Sequence, residues 1–188
     1  MKPILTPEEY KYLYRLTEKA TPLKSDCGKL CNSICCQQNE TDSLGMYLFP
    51  GEEVMFTGKE DWLAWERHDP KEYDFPASWP FPVNFVKCSR ACPRELRPLA
   101  CRFYPLTPHI FKNGSWILIY DTLDLPYRCP LIEEQLTMEP NFIETVAKAW
   151  SILLKDHRIN TLVREDSEER ENASLRVPTV VWKSQKLR

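Results

Sequence analysis

The sequence is poor in glycine and lacks the features of several common functional classes. Its 5 glycines (Gly28, Gly45, Gly51, Gly58 and Gly114) lie too far apart to form a phosphate-binding loop, which excludes the familiar nucleotide-binding motifs. With 25 Lys and Arg against 27 Asp and Glu, there is no basic surplus for nucleic acid. No apolar run suits a signal peptide or a membrane helix. We therefore expect a soluble, cytoplasmic protein that has neither nucleic acid nor a membrane as its partner.

The remaining composition predicts one domain of the α+β class. The chain has 188 residues, 43% of them hydrophobic, which is enough for a single buried core. Short extended segments lie between helical ones, so we expect a small irregular domain with short hairpins and flanking helices. This domain should span residues 1–164. The crowded charges after Arg164 predict a charged C-terminal extension over residues 165–188, with a docking strand near residues 177–182.

Local patterns predict several individual elements. Thr6 and Glu9 form a capping-box signature that begins a helix over residues 7–20. Pro140 begins a second helix that should run to about residue 157, with residues 159–163 as a possible extension. Asn113 and Gly114, between two apolar runs, predict a hairpin. Residues 46–56 indicate two short extended pieces, residues 69–82 an irregular proline-rich connection, and residues 85–87 a brief strand.

The main functional signal is a cluster of cysteines. The pattern C-x3-C-x3-C-C is followed by C-x3-C-x8-C and one distant cysteine, and the eight positions are Cys27, Cys31, Cys35, Cys36, Cys88, Cys92, Cys101 and Cys129. Structural disulfides are rare in a reducing compartment, and buried structural thiols usually occur singly on apolar faces. The first four cysteines instead have polar neighbours, which favour thiolates. We interpret all eight as candidate metal ligands.

The spacing bears on the identity of the metal. Zinc held by four thiolates commonly uses C-x2-C knuckles, and this sequence has none. Two cysteines four apart on a helix have Cβ atoms about 5–6 Å apart, which suits separate iron corners of a cluster. We therefore favour an iron–sulfur cluster, expected to be of the 4Fe–4S type, over zinc. Zinc stays open, because side chains at i and i+4 can also converge on one ion.

The adjacent pair Cys35 and Cys36 constrains the number of sites. Neighbouring residues point in different directions on a helix or a strand, so both thiols cannot easily serve one small site. Either the eight ligands divide as four plus four, or one of the two is a buried or redox-active thiol that binds no metal.

Three motifs resemble the YkgJ-type cysteine-cluster proteins, which are described as zinc- or iron-chelating. They are the cysteine pattern of residues 27–36, Leu-Phe-Pro-Gly-Glu at residues 48–52, and Arg-Pro-Leu-Ala-Cys-Arg-Phe-Tyr-Pro at residues 97–105. The resemblance covers roughly residues 27–129. A related cysteine pattern occurs in the flagellin lysine-N-methylase family, which implies an iron–sulfur cluster and methyl transfer. Only cluster ligands carry over from that family, and the catalytic residues are unknown.

Two arginines flank Cys101 in the third motif. Arg97 and Arg102 could offset the negative charge of a thiolate site and donate hydrogen bonds to its sulfurs, so we expect both to bind the cofactor. The three histidines, His68, His109 and His157, are expected to be surface or packing residues.

The functional expectation is a metal-binding protein that holds an iron–sulfur cluster or zinc. An iron–sulfur-dependent lysine methyltransferase or redox enzyme is one alternative, although no cofactor loop is recognisable. A zinc-ordered adaptor that binds a protein partner is another.

Overall fold

The computed structural model describes residues 4–37, 44–173 and 179–183. In these ranges the protein has a mixed α+β fold with six α-helices and two three-stranded antiparallel sheets. The helices are α1 (Pro7–Thr17), α2 (Gly28–Cys31), α3 (Leu99–Phe103), α4 (Pro130–Glu133), α5 (Pro140–Leu153) and α6 (His157–Asn172). The strands are β1 (Met46–Tyr47), β2 (Leu63–His68), β3 (Val83–Cys88), β4 (Leu106–Ile110), β5 (Trp116–Tyr120) and β6 (Val180–Lys183). Within the described ranges, no helix combines the length and the apolar character needed to cross a membrane.

Helix α1 begins with the predicted capping box. The Glu9 amide donates to Thr6 Oγ1 at 3.3 Å, and the Thr6 amide donates to Glu9 Oε2 at 2.9 Å. The helix ends at Thr17, three residues before the predicted end, where the Thr17 hydroxyl donates to the Leu13 carbonyl. Tyr10 and Leu13 are completely buried, so the apolar face of α1 packs into the core.

The larger core joins α1, α5 and α6 to the sheet ordered β4-β5-β6. The hairpin predicted at Asn113 and Gly114 is confirmed, since β4 pairs antiparallel with β5 and Gly114 adopts a φ of 81°. Strand β6 pairs with β5, which confirms a docking strand near the C-terminus. Residues 177 and 178 of that prediction lie outside the described residues.

The predicted helix from Pro140 to about residue 157 is two helices. Helix α5 ends at Leu153, and the Asp156 side chain accepts a hydrogen bond from the Arg158 amide to cap α6. Helix α6 then continues beyond Arg164 through the charged run to Asn172. The buried Ser167 hydroxyl accepts a hydrogen bond from the Ile110 amide at 3.0 Å, which ties this part of α6 to β4.

The second sheet, ordered β1-β3-β2, carries the smaller core. Strand β2 was not predicted, and β3 is longer than the predicted residues 85–87. The first extended piece of residues 46–56 is β1, but the second is a 3₁₀ turn over Glu52–Met55. The proline-rich connection is irregular apart from a 3₁₀ turn over Pro70–Glu72, as predicted. Cys88 and Cys92 pack against this smaller core.

Candidate metal centre

The cysteines lie on four separate stretches of chain, at residues 27–36, 88–92, 101 and 129. None of the eight, all of which fall in the described ranges, forms a disulfide. Their positions are the start and end of α2 (Cys27 and Cys31), a 3₁₀ turn over Ile34–Cys36 (Cys35 and Cys36), the end of β3 and the loop after it (Cys88 and Cys92), the middle of α3 (Cys101), and the residue before α4 (Cys129).

A tight reversal of the chain brings the N-terminal cysteines together. Asp26 Oδ1 accepts a hydrogen bond from the Gly28 amide, which starts α2. Asn32 and Ser33 then both adopt left-handed backbone conformations, with φ of 53° and 54°, and turn the chain into the 3₁₀ turn. A Cβ atom at Gly28 would lie 2.3 Å from Ser33 Oγ, so this position favours glycine.

Four thiols converge from three of these stretches, and we call Cys36, Cys88, Cys92 and Cys101 the thiol quartet. A hydrogen bond to Cys92, then burial, and then the nearby Cys101 raise the pKa of the Cys88 thiol. Burial, followed by the nearby Cys36 and Cys92, raises the pKa of the Cys101 thiol. These mutual effects place the four sulfur atoms within electrostatic range of one another.

Two members of the quartet favour the thiolate form. The hydrogen bond from Cys88 lowers the pKa of Cys92 to about 6, against the effect of burial and with help from Arg97. A hydrogen bond from Cys35, whose Sγ lies 3.9 Å from that of Cys36, lowers the pKa of Cys36 to about 7. Thiolates are the form of cysteine that binds metals.

Arg97 faces the quartet. Burial by itself would lower the pKa of Arg97, but a hydrogen bond to Cys92 and the negative charge that Cys92, Cys101 and Cys36 can carry raise it. This guanidinium therefore sits where it offsets thiolate charge.

Arg102 has different partners from those expected. Its guanidinium donates to the carbonyls of Arg97, Tyr14 and Glu95 and to Thr17 Oγ1, and it stacks over the Tyr14 ring at 4.2 Å. These contacts fix α3 against α1. The structure thus places Arg97 against the thiols and Arg102 in the scaffold behind them.

The other four cysteines form a looser second group, Cys27, Cys31, Cys35 and Cys129. After burial and Asp26, the nearby Cys129 and Cys31 contribute to raising the pKa of Cys27. Burial raises the pKa of Tyr104, and hydrogen bonds to Tyr127 and Cys129 add to that effect. Tyr104 and Tyr127 therefore border this group.

Met46 and Glu52 belong to the site, although the cysteine pattern did not point to them. Met46 Sδ lies 2.8 Å from Cys101 Sγ. Glu52 is completely buried and accepts a hydrogen bond from the Leu99 amide in α3, two residues before Cys101. Both contacts span more than forty positions of sequence, with separations of 55 and 47 residues, so no local pattern predicts them. Glu52 is the last residue of the motif at residues 48–52. Its hydrogen bond from Leu99 joins this motif to the one at residues 97–105.

A small cavity of about 30 Å³ opens beside the thiols. Its walls include Cys27, Cys101, Arg97, Asp26 and Tyr104. Both cysteine groups therefore contribute to its lining.

The histidines lie in other environments. His68 Nδ1 is 2.9 Å from the Tyr47 hydroxyl and His68 Nε2 is 3.2 Å from Glu66. His109 is buried, with Nε2 3.6 Å from Glu171, and His157 begins α6. Across the described part of the chain, no three His, Cys, Asp or Glu side chains are arranged as a ready-made metal site.

Comparison with protein-family models, curated proteins and solved structures finds no match to this chain. The resemblance of the three motifs to cysteine-cluster proteins therefore stays a prediction from the sequence.

Proposed function

We propose that this protein binds a metal centre, an iron–sulfur cluster or zinc, through its clustered cysteine thiolates, with the thiol quartet as the principal ligand set. The observation that carries the proposal is the mutual electrostatic influence of four thiols, from three stretches of chain, on one another and on Arg97. Thiols brought together in this way without disulfide pairing are the donor set that iron–sulfur clusters and structural zinc require.

The chemistry of the donor set fits such a centre. The pKa values of Cys36 and Cys92, at about 7 and about 6, leave thiolates that need little further deprotonation. Arg97 supplies one positive charge beside them. The bound metal would supply the covalent link between the N-terminal turn, the end of β3 and α3.

The second group supports a division of the ligands into two sets of four. Cys36 belongs to the quartet, and the neighbouring Cys35 is influenced by Cys36 and Cys101 of the quartet and, after them, by Cys27 of the second group. Cys35 therefore lies between the two groups. Cys27 and Cys31 lie at opposite ends of the single helical turn α2, a separation that favours cluster corners over one ion.

Elemental analysis of protein purified without oxygen tests the proposal. Iron with sulfide, and broad absorption near ~400 nm, identifies a cluster, whereas colourless protein that contains zinc identifies zinc. Cys92→Ser should remove most of the metal, and Ser89→Ala, in the same loop, should leave it in place. A chain that contains neither metal and takes up neither after reduction and reconstitution would contradict the proposal.

A further inference from the structure

Met46 contacts the thiol quartet through its sulfur atom. Its Sδ contacts Cys101 Sγ at 2.8 Å. The register of the sheet pairs Met46 with Val86, and Cys88 follows two residues later on the same face of β3. Met46, Cys88 and Cys92 also pack against the same smaller core. The thioether is therefore a fifth sulfur, in contact with Cys101 and packed on the same core as Cys88 and Cys92.

A thioether in this position changes which metals the site can hold. Thioether sulfur is neutral and soft, and together with thiolates it selects Cu(I), whereas zinc binds thiolate, imidazole and carboxylate. A methionine that only fills space can be replaced by leucine with little consequence for any ion. The sulfur-to-sulfur contact with Cys101 instead places the donor atom at the site.

We propose that Met46, together with Cys101 and neighbouring thiols of the quartet, forms a Cu(I)-binding site, in which the Met46 thioether is a ligand that favours Cu(I) over zinc. This inference rests on one part of the proposed function, namely that the quartet binds metal, and it has Cu(I) bound in place of zinc or a cluster. It goes further because it adds Met46 as a ligand and names Cu(I), a soft monovalent ion, as the metal that these sulfur atoms bind.

The test compares Met46→Leu with a matched methionine variant. Met55 is also half-buried, but it packs against the larger core, so Met55→Leu controls for the loss of a thioether. The affinities of the reduced, metal-free chains for Cu(I) and Zn(II) are measured by competition with coloured chelators. Met46→Leu should weaken Cu(I) binding about tenfold or more and change zinc binding less than about twofold, whereas Met55→Leu should change neither.

A second measurement needs no substitution. In selenomethionine-labelled wild-type protein loaded with Cu(I), X-ray absorption at the selenium edge should show copper as a direct neighbour of selenium. Labelled Met55→Leu should keep this neighbour. The measurement stands even if Met46→Leu does not fold.

The outcomes separate this inference from the proposed function. Zinc or a cluster bound to wild-type protein, without a copper neighbour of selenium and with equal Cu(I) affinity in Met46→Leu, overturns the role of Met46 and leaves the thiolate site intact. Failure of wild-type protein to bind any of these metals overturns both.

Discussion

At the scale of single residues, the Glu52 carboxylate connects three parts of the scaffold. Glu52 Oε1 accepts hydrogen bonds from the Tyr14 hydroxyl and the Leu99 amide, each at 2.8 Å, and Oε2 accepts one from the Phe49 amide at 3.0 Å. Burial raises the pKa of Glu52, and these hydrogen bonds and Arg102 oppose that rise. Since every partner here is a donor, both oxygens of Glu52 are needed as acceptors.

Glu52→Gln should therefore destabilise the protein although it keeps the shape of the side chain. Its amide nitrogen must face at least one of these buried donors, which leaves that donor without an acceptor and costs about 1–3 kcal/mol of unfolding free energy. Urea unfolding of the metal-free chain measures the loss. The neighbouring exposed Glu53→Gln is the control and should change stability by less than about 0.5 kcal/mol. Equal effects of the two substitutions would show that the carboxylate is dispensable.

At the scale of elements, the packing of β1 against β3 determines whether Met46 covers Cys101. Gly45 precedes β1, and a Cβ atom there would lie 2.6 Å from the Val86 carbonyl oxygen and 2.4 Å from the Phe85 ring. Only a residue without a side chain lets β1 approach β3 this closely. The close approach brings Met46 to Cys101.

Gly45→Ala should displace β1 and expose the Cys101 thiol. We expect a loss of about 1–3 kcal/mol from the forced contact, and faster alkylation of Cys101 measured by mass spectrometry of the native, metal-free chain. Gly58→Ala is the matched comparison, because its φ of 71° makes alanine strained while no atom lies within 4 Å of the added carbon. That variant should lose about 1–2 kcal/mol without faster alkylation of Cys101. An unchanged alkylation rate in Gly45→Ala would refute the role of β1.

The elements differ in how far the sequence predicts them, for identifiable reasons. Helix α1 and the β4–β5 hairpin carry their own signals, the capping box and the Asn-Gly turn, and both are confirmed. Strand β2 has no clean alternation, since its exposed and half-buried positions include Trp65 and Ala64, and it is held by pairing with β3. The break before α6 had a local signal that was missed, namely Asp156 as a helix cap.

In the candidate site, too, some features have a local sequence signal and others depend on tertiary packing. Clustering of cysteine in the sequence predicts eight candidate ligands, and four of them influence one another's pKa in the structure. The different positions of Arg97 and Arg102 could not be predicted, because both flank Cys101 and only the packing of α1 against α3 separates their partners. Metal binding itself stays a prediction.

At the scale of the whole molecule, the cysteine-bearing turn has little apolar packing of its own. Neither α2 nor the 3₁₀ turn over Ile34–Cys36 contains a buried residue, and Leu30 is 52% exposed. A segment with so few buried contacts opens easily unless another bond holds it. A metal bound by these thiols would supply that bond.

Metal should therefore protect this turn from proteolysis. Trypsin should cut after the exposed Lys29 much faster in the reduced, metal-free chain than in the metal-loaded one, as followed by mass spectrometry. Lys112, exposed in the β4–β5 hairpin loop, is the internal control and should be cut at the same rate in both. Equal protection at Lys29 with and without metal would mean that the turn is held by the chain alone.

The larger core, as far as the structure describes it, is built without a single cysteine. Aliphatic and aromatic side chains from α1, α5, α6 and the β4-β5-β6 sheet hold it together, and none of them is a thiol that air or peroxide could alter. Loss of a bound metal, or oxidation of the thiols, should therefore leave this core folded.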